Sequence, residues 1–109
     1  MITAAYLPLA ADLDRDFDVE LEINDGVFDF AGYSAKMEVR AARSLNAPLL
    51  ATGTVTLEDG WIRASILKAD TAGIEAQRGW YDIAITDPGG KTYNWLMGPF
   101  SFDGVATDA

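Results

Sequence analysis

The sequence contains neither cysteine nor histidine. Without cysteine the fold cannot be held by disulfides or by a zinc ion with thiolate ligands. Without histidine the chain lacks the most common general base near neutral pH and the most common protein ligand of transition metals. These two absences exclude most hydrolase and metalloenzyme mechanisms. We therefore expect a protein that is not an enzyme and that uses no metal or other cofactor.

Basic residues are also scarce, with 8 Lys and Arg against 17 Asp and Glu, which gives a formal net charge of −9. This charge repels nucleic-acid phosphates and anionic membrane surfaces, so we expect neither as a partner. The apolar N-terminus, MITAAYLPLAA, lacks the basic residues of a signal peptide and is far too short to cross a bilayer. A basic protein surface is the partner that this charge favours.

The length and composition predict one domain with two short extensions. A chain of 109 residues, half of them hydrophobic, can bury one substantial core. The apolar residues 1–11 are interpreted as an N-terminal arm that could add a strand to a neighbouring protein. Residues 12–102 are expected to form the domain, and residues 103–109 a flexible tail.

Apolar and polar residues alternate along much of the chain, which is the pattern of half-buried β-strands. The alternation is clearest from Phe17 to Ile23 and from Tyr33 to Arg40, and the sequence EDG at 58–60 predicts a tight hairpin. Six to seven such strands, separated by turn residues, predict an all-β fold. We expect an immunoglobulin-like antiparallel β-sandwich, with a small β-barrel as the alternative.

An acidic residue occupies every second position from Asp12 to Glu22. A helix-loop-helix calcium site requires Gly at its sixth position and Glu at its twelfth, but a loop that begins at Asp12 has Phe17 and Ile23 there. The three acids from 12 to 16 could still hold a weakly bound cation. The better interpretation is a strand whose solvent-facing side carries Asp18, Glu20 and Glu22, and we expect this acidic row to bind a basic partner.

Trp61 and Trp80 fall on the phase opposite to the aliphatic residues of their strands. They are therefore expected to face outward, where aromatic side chains serve as interface hot spots or as sugar-binding platforms. The alternative is that each lies at a strand end and folds over the rim of the core. Trp95 is assigned to the core.

The segment DTAGIEAQRGWYDIAI places an acid before a short turn and an inward Tyr in the next strand. This order resembles the tyrosine corner of immunoglobulin-like domains, in which Asp70 and Tyr81 would determine the fold. A catalytic Asp–Tyr pair is the other possibility. No nucleophile or oxyanion donor lies near them in the sequence, so we rank an enzyme last.

Taken together, three stretches resemble the small immunoglobulin-like domains of tailed-bacteriophage structural proteins, including the N-terminal domain of upper baseplate proteins. They are DFDVELEINDGVFDFAGYSAKMEVR, GTVTLEDGWIRASILKADTAG and GWYDIAITDPGGKTYNWLMGPFSF. The shared elements are the acidic strand, the DG step into GY, the AKMEVR strand and the GxYDI strand followed by DPxG. None of them is a chemical motif, so the resemblance concerns fold and context.

The resemblance implies a virion protein, made in the host cytoplasm, that works by contact with other phage structural proteins. It implies a decoration, neck, tail or baseplate adaptor that is multivalent or oligomeric in the particle. The candidate partner interface consists of Asp18, Glu20, Glu22, Trp61 and Trp80. The competing hypothesis is a carbohydrate-binding or host-receptor-binding module, in which the two tryptophans line a sugar platform.

Overall fold

The computed structural model describes residues 5–13, 15–23 and 28–103. Eight β-strands account for most of this part of the chain, and a single 3₁₀ turn over Lys68–Thr71 lies between the sixth and the seventh. The strands are β1 (Ala5–Tyr6), β2 (Leu9–Asp12), β3 (Phe17–Glu22), β4 (Ser34–Arg40), β5 (Leu49–Glu58), β6 (Trp61–Ile66), β7 (Gln77–Thr86) and β8 (Thr92–Asp103).

The strands form one curled, mixed sheet in the order β1-β8-β7-β4-β5-β6-β3, and β2 pairs with β8 beside β1. The long strand β5 connects two halves of this sheet. Its first part, up to Gly53, pairs with β4, and its second part, from Thr54, pairs with β6. We refer to β1, β2, β8, β7, β4 and the start of β5 as the large half, and to the end of β5, β6 and β3 as the small half.

The two halves enclose a common core, because alternate residues of each strand point inward. The ring of Phe17, on β3, lies 5.2 Å from that of Phe100, on β8, so strands from the two halves meet across the core. The buried apolar residues are Ala11, Phe30, Met37, Val39, Ala51, Ile62, Ala64, Ile66, Tyr81, Ile83, Ile85, Leu96, Phe100 and Phe102. The predicted all-β fold is confirmed, and the half-barrel form is compatible with both a sandwich and a barrel.

The described part of the expected N-terminal arm lies within the sheet. β1 and β2 pair with β8 in parallel, with Ala5 opposite Leu96 and Ala11 opposite Phe102, and Ala11 is buried. The expectation of a free arm over 1–11 is therefore corrected for residues 5–11, and the sheet is mixed instead of purely antiparallel. Asp103 closes β8, and the rest of the predicted tail lies outside the described residues.

Tyr81 holds this N-terminal segment in place. Its side chain is fully buried, and its hydroxyl donates a 2.7 Å hydrogen bond to the backbone carbonyl of Leu7. Burial, with a smaller contribution from the charge of Asp82, raises the pKa of Tyr81 to about 12. Tyr81 thus attaches the β1–β2 segment to the rest of the sheet. Asp70, the other residue expected to determine the fold, is exposed in the 3₁₀ turn, whose N-cap is Leu67.

Candidate protein-binding surfaces

The outer side of the small half carries the acidic row. Asp18, Glu20 and Glu22 are all exposed, while Phe17, Val19 and Leu21 between them are half-buried against the core. This is the alternation that the sequence predicts for a strand with one solvent-facing side. We call the exposed side of β3, β6 and the second part of β5 the acidic face.

Three rows of side chains cross the acidic face, because residues directly opposite in paired strands share a side. The rows are Asp18–Ser65–Thr54, Glu20–Arg63–Thr56 and Glu22–Trp61–Glu58. Trp61 is half-buried and stands between two glutamates. It is therefore part of the same surface as the acidic row.

Arg63 lies in the middle of the acidic face and partly compensates its charge. Its guanidinium is 3.9 Å from the carboxylate of Glu20 and 3.6 Å from that of Glu58, and it lies 5.8 Å from the centre of the Trp61 ring. Such half-exposed ion pairs contribute little to stability. The acidic face is thus not of one sign, but four carboxylates (Asp18, Glu20, Glu22 and Glu58) still outnumber this one cation on the described face.

β3 is an edge strand, since within the described residues it pairs with β6 alone. An edge strand exposes backbone groups that can pair with another chain, and charged side chains along it discourage such pairing between identical copies. The acidic row therefore has a structural use in addition to the proposed binding role. Like-charge repulsion between the acidic rows of two copies disfavours pairing of their β3 strands.

The outer side of the large half carries a second surface, which we call the aromatic patch: Tyr6, Arg43, Leu45, Trp80 and Met97. The rings of Tyr6 and Trp80 are 6.2 Å apart, and the Arg43 guanidinium lies 4.8 Å from the centre of the Trp80 ring. Arg43 also points toward the sulfur of Met97, at 3.6 Å. Tyr6 is 65% exposed and Leu45 is 84% exposed, so the patch presents large apolar side chains to solvent.

The connection between β4 and β5, residues 41–48, forms one wall of a groove beside this patch. Arg40 holds the connection by donating a hydrogen bond to the carbonyl of Ala47 at 3.0 Å. Leu45 at its tip faces Asp82 and Asn94 across the groove. The indole nitrogen of Trp80 is buried here, and it has no partner in hydrogen-bond geometry among the described residues.

Asp82 on β7 stands directly opposite Glu38 on β4, so two carboxylates lie side by side in the groove. Burial raises the pKa of Asp82, and the charge of Glu38 raises it further, whereas the Trp80 indole, Arg43 and Arg40 each lower it. The indole thus influences Asp82 although the two fall short of a well-formed hydrogen bond. Glu38 is 3.4 Å from Arg40 and 3.8 Å from Lys36, which balance its charge.

The two candidate tryptophans lie on separate surfaces. Trp61 belongs to the acidic face on the small half, and Trp80 to the aromatic patch on the large half. They therefore do not line one platform. Arg43 also covers Trp80, which leaves less of that ring open for a sugar to stack on. Trp95 is half-buried against the core and contacts the rings of Phe28 and Phe30.

Of the three acids considered for a cation, Asp12 and Asp16 lie within the described residues and make separate contacts. Asp12 pairs along β8, and the carboxylate of Asp16 accepts a hydrogen bond from the backbone N–H of Lys68 at 2.8 Å. Asp14 lies outside the described residues. In the part of the chain that the structure covers, no cluster of His, Cys, Asp or Glu could hold a metal ion, and no helix is long and apolar enough to cross a bilayer.

Sequence reasoning missed Tyr6, Arg43, Arg63 and Asp82, because their roles depend on strand register and on the course of a loop. No known protein-family model matches the sequence, and no curated protein is a significant match. The resemblance to bacteriophage domains therefore stays a prediction.

Proposed function

We propose that this protein is a structural component of a bacteriophage particle and that it binds neighbouring proteins through the acidic face and the aromatic patch. The resemblance of three long stretches to phage immunoglobulin-like domains supports the particle context. The all-β fold of the chain is compatible with that resemblance. The two surfaces support binding as the mode of action.

The aromatic patch is the observation that carries this proposal. Tyr, Trp, Arg and Met are the residue types enriched in protein interfaces, and Trp, Tyr and Arg account for most of the binding energy where interfaces have been dissected. Here Tyr6, Trp80, Arg43 and Met97 contact one another on the outside of a strand layer, away from the core. An exposed cluster of this composition is costly to keep in water unless a partner covers it.

The experiment is mass spectrometry of particles purified from an infected culture of the phage whose genome encodes this chain. We expect the chain at a fixed number of copies per particle, comparable to known tail or neck components, after extensive washing at low salt, which preserves contacts between charged surfaces. The amount of an abundant host protein in the same sample measures the background contamination of the particles. Recovery of the chain only at that background level contradicts the proposal.

The carbohydrate-binding alternative is tested on the same purified protein. A sugar that stacks on a tryptophan changes its fluorescence, so a glycan titration monitored by indole emission distinguishes the two functions. We expect no change, because the two tryptophans occupy separate surfaces and Arg43 lies over Trp80. A saturable change that a Trp61→Ala or a Trp80→Ala variant removes would favour the sugar-binding function instead.

A further inference from the structure

We propose that copies of this chain associate head to tail, with the acidic face of one copy bound to the aromatic patch of the next. This inference rests on the proposed function, since it names the partner of both surfaces as a second copy of the same chain. Three observations carry it: the charge of each surface, the direction in which each surface points and the repulsion between two acidic faces.

The two surfaces carry complementary charge. On the acidic face, Asp18, Glu20, Glu22 and Glu58 surround Arg63, which leaves an excess of negative charge. Around the aromatic patch, Lys36, Arg40 and Arg43 outnumber Glu38 and Asp82, which leaves an excess of positive charge. A positive area is unusual in a chain with a net charge of −9. Complementary potentials of this kind guide association and set the orientation of the partners.

The surfaces point away from each other. Both halves of the sheet direct their inner sides into the common core, so the acidic face and the aromatic patch lie on the outer sides of opposite halves. One copy can therefore use both surfaces at once. A contact between two different surfaces is heterologous and generates a ring or an open filament, which a two-fold symmetric dimer does not.

Like-charge repulsion disfavours a symmetric contact between two acidic faces. Two acidic faces brought together would oppose Glu20 and Glu22 of one copy to the same residues of the other, on strands whose free edges would otherwise pair. The aromatic patch offers a cationic and apolar counterpart instead, with Arg43 and the exposed rings able to cover Trp61. The acidic row thus both blocks one form of self-association and favours another.

The experiment is sedimentation velocity of the purified chain at ~20 mM and ~500 mM salt, which differ greatly in electrostatic screening. We expect species larger than the monomer at low salt and their dissociation at high salt. The Glu20→Lys/Glu22→Lys variant and the Lys36→Glu/Arg43→Glu variant should each associate at least tenfold more weakly than the wild type. Circular dichroism melting of each variant checks that it is folded.

Mixing the two charge-reversed variants is the decisive test. One variant still has an unchanged aromatic patch and the other an unchanged acidic face, so each offers the surface that the other can bind. We expect the equimolar mixture to regain the association that each variant alone has lost. The matched control for the Glu20→Lys/Glu22→Lys variant is Asp70→Lys/Glu75→Lys, which makes the same change in net charge at exposed positions outside both surfaces and should associate like the wild type.

A wild-type chain that is monomeric at both salt concentrations, or folded variants that regain nothing on mixing, overturns the head-to-tail inference. The proposed function would survive that result if the chain is still found in purified particles. Conversely, rescue on mixing by a chain that is absent from particles would support self-association and contradict the particle function.

Discussion

At the scale of single residues, Asp82 lies where its charged form is unfavourable for folding. It lies in the groove beside the aromatic patch, where burial and the neighbouring Glu38 disfavour its charge and raise its pKa. A carboxylate that is unfavourable for folding and sits in a groove is a candidate for a binding role.

The substitution Asp82→Asn tests this placement. The pKa of Asp82 is higher in the folded chain than in the unfolded chain, so its favourable contribution to stability is present at acid pH, below the ordinary pKa of Asp. That contribution is lost as pH rises through the folded value. Relative to the wild type, the variant should therefore be more stable at pH 7, by less than about 1 kcal/mol because the site is partly exposed. The advantage should shrink toward pH 4.

Urea unfolding from pH 4 to pH 8 measures this difference, with Glu75→Gln as a control that removes one exposed negative charge from a loop. A lower free energy of unfolding for Asp82→Asn at pH 7 would contradict the argument. It would mean that Arg43 and the Trp80 indole stabilise the charged carboxylate more than burial and Glu38 destabilise it.

The sequence predicts which residues of β3 are exposed to solvent. It does not predict which side chains of other strands lie next to them. The alternation along β3 correctly places Asp18, Glu20 and Glu22 in solvent, because side-chain direction in a strand follows from position alone. The ion pairs of Arg63 with Glu20 and Glu58 depend on how β6 registers with two other strands. A single strand's sequence does not contain that information.

At the scale of elements, the β1–β2 segment is the main difference between expectation and structure. Its parallel pairing with β8 joins residues about ninety positions apart in the sequence, and no turn motif between them predicts this pairing. The hairpin of β5 and β6 was predictable because EDG marks the turn locally. The bulge in β8 lies at Trp95, where the register with β7 shifts.

Gly98 gives a direct test of the β1–β2 docking. A β-carbon at this position would lie 2.6 Å from the carbonyl oxygen of Leu7, which is the atom that accepts the Tyr81 hydrogen bond. Gly98→Ala should therefore push the segment off β8 and lower the free energy of unfolding by about 1–3 kcal/mol, the range expected for overpacking. Chemical denaturation measures the loss.

Gly89→Ala is the matched control, since its β-carbon would meet only a side-chain oxygen of Asp87 at 3.3 Å in an exposed turn. Deleting residues 2–10 should destabilise the domain more than Gly98→Ala, because it removes β1 and part of β2. Wild-type stability for both Gly98→Ala and the deletion would mean that the segment is a dispensable arm after all.

At the scale of the whole molecule, the sheet separates two kinds of surface. The outer side of the small half carries excess negative charge, and the outer side of the large half carries aromatic and basic side chains. The shared core lies between the two halves, so these outer sides face in opposite directions. Composition alone predicts an acidic protein that favours basic partners. Only the structure shows that Lys36, Arg40 and Arg43 lie together on the outer side of the large half, where they can serve as such a partner.

The measurement that tests the account most directly is the incorporation of a charge-reversed chain into particles. Under the proposed function the chain is encoded by a phage, whose gene is replaced by a Glu20→Lys/Glu22→Lys version or by the Asp70→Lys/Glu75→Lys control. The copies of each chain per purified particle are counted by quantitative mass spectrometry. We predict that the control is incorporated at the wild-type level and that the Glu20→Lys/Glu22→Lys chain, although folded and expressed, is lost from the particle. Equal incorporation of both variants would contradict the claim that the acidic face binds a neighbour.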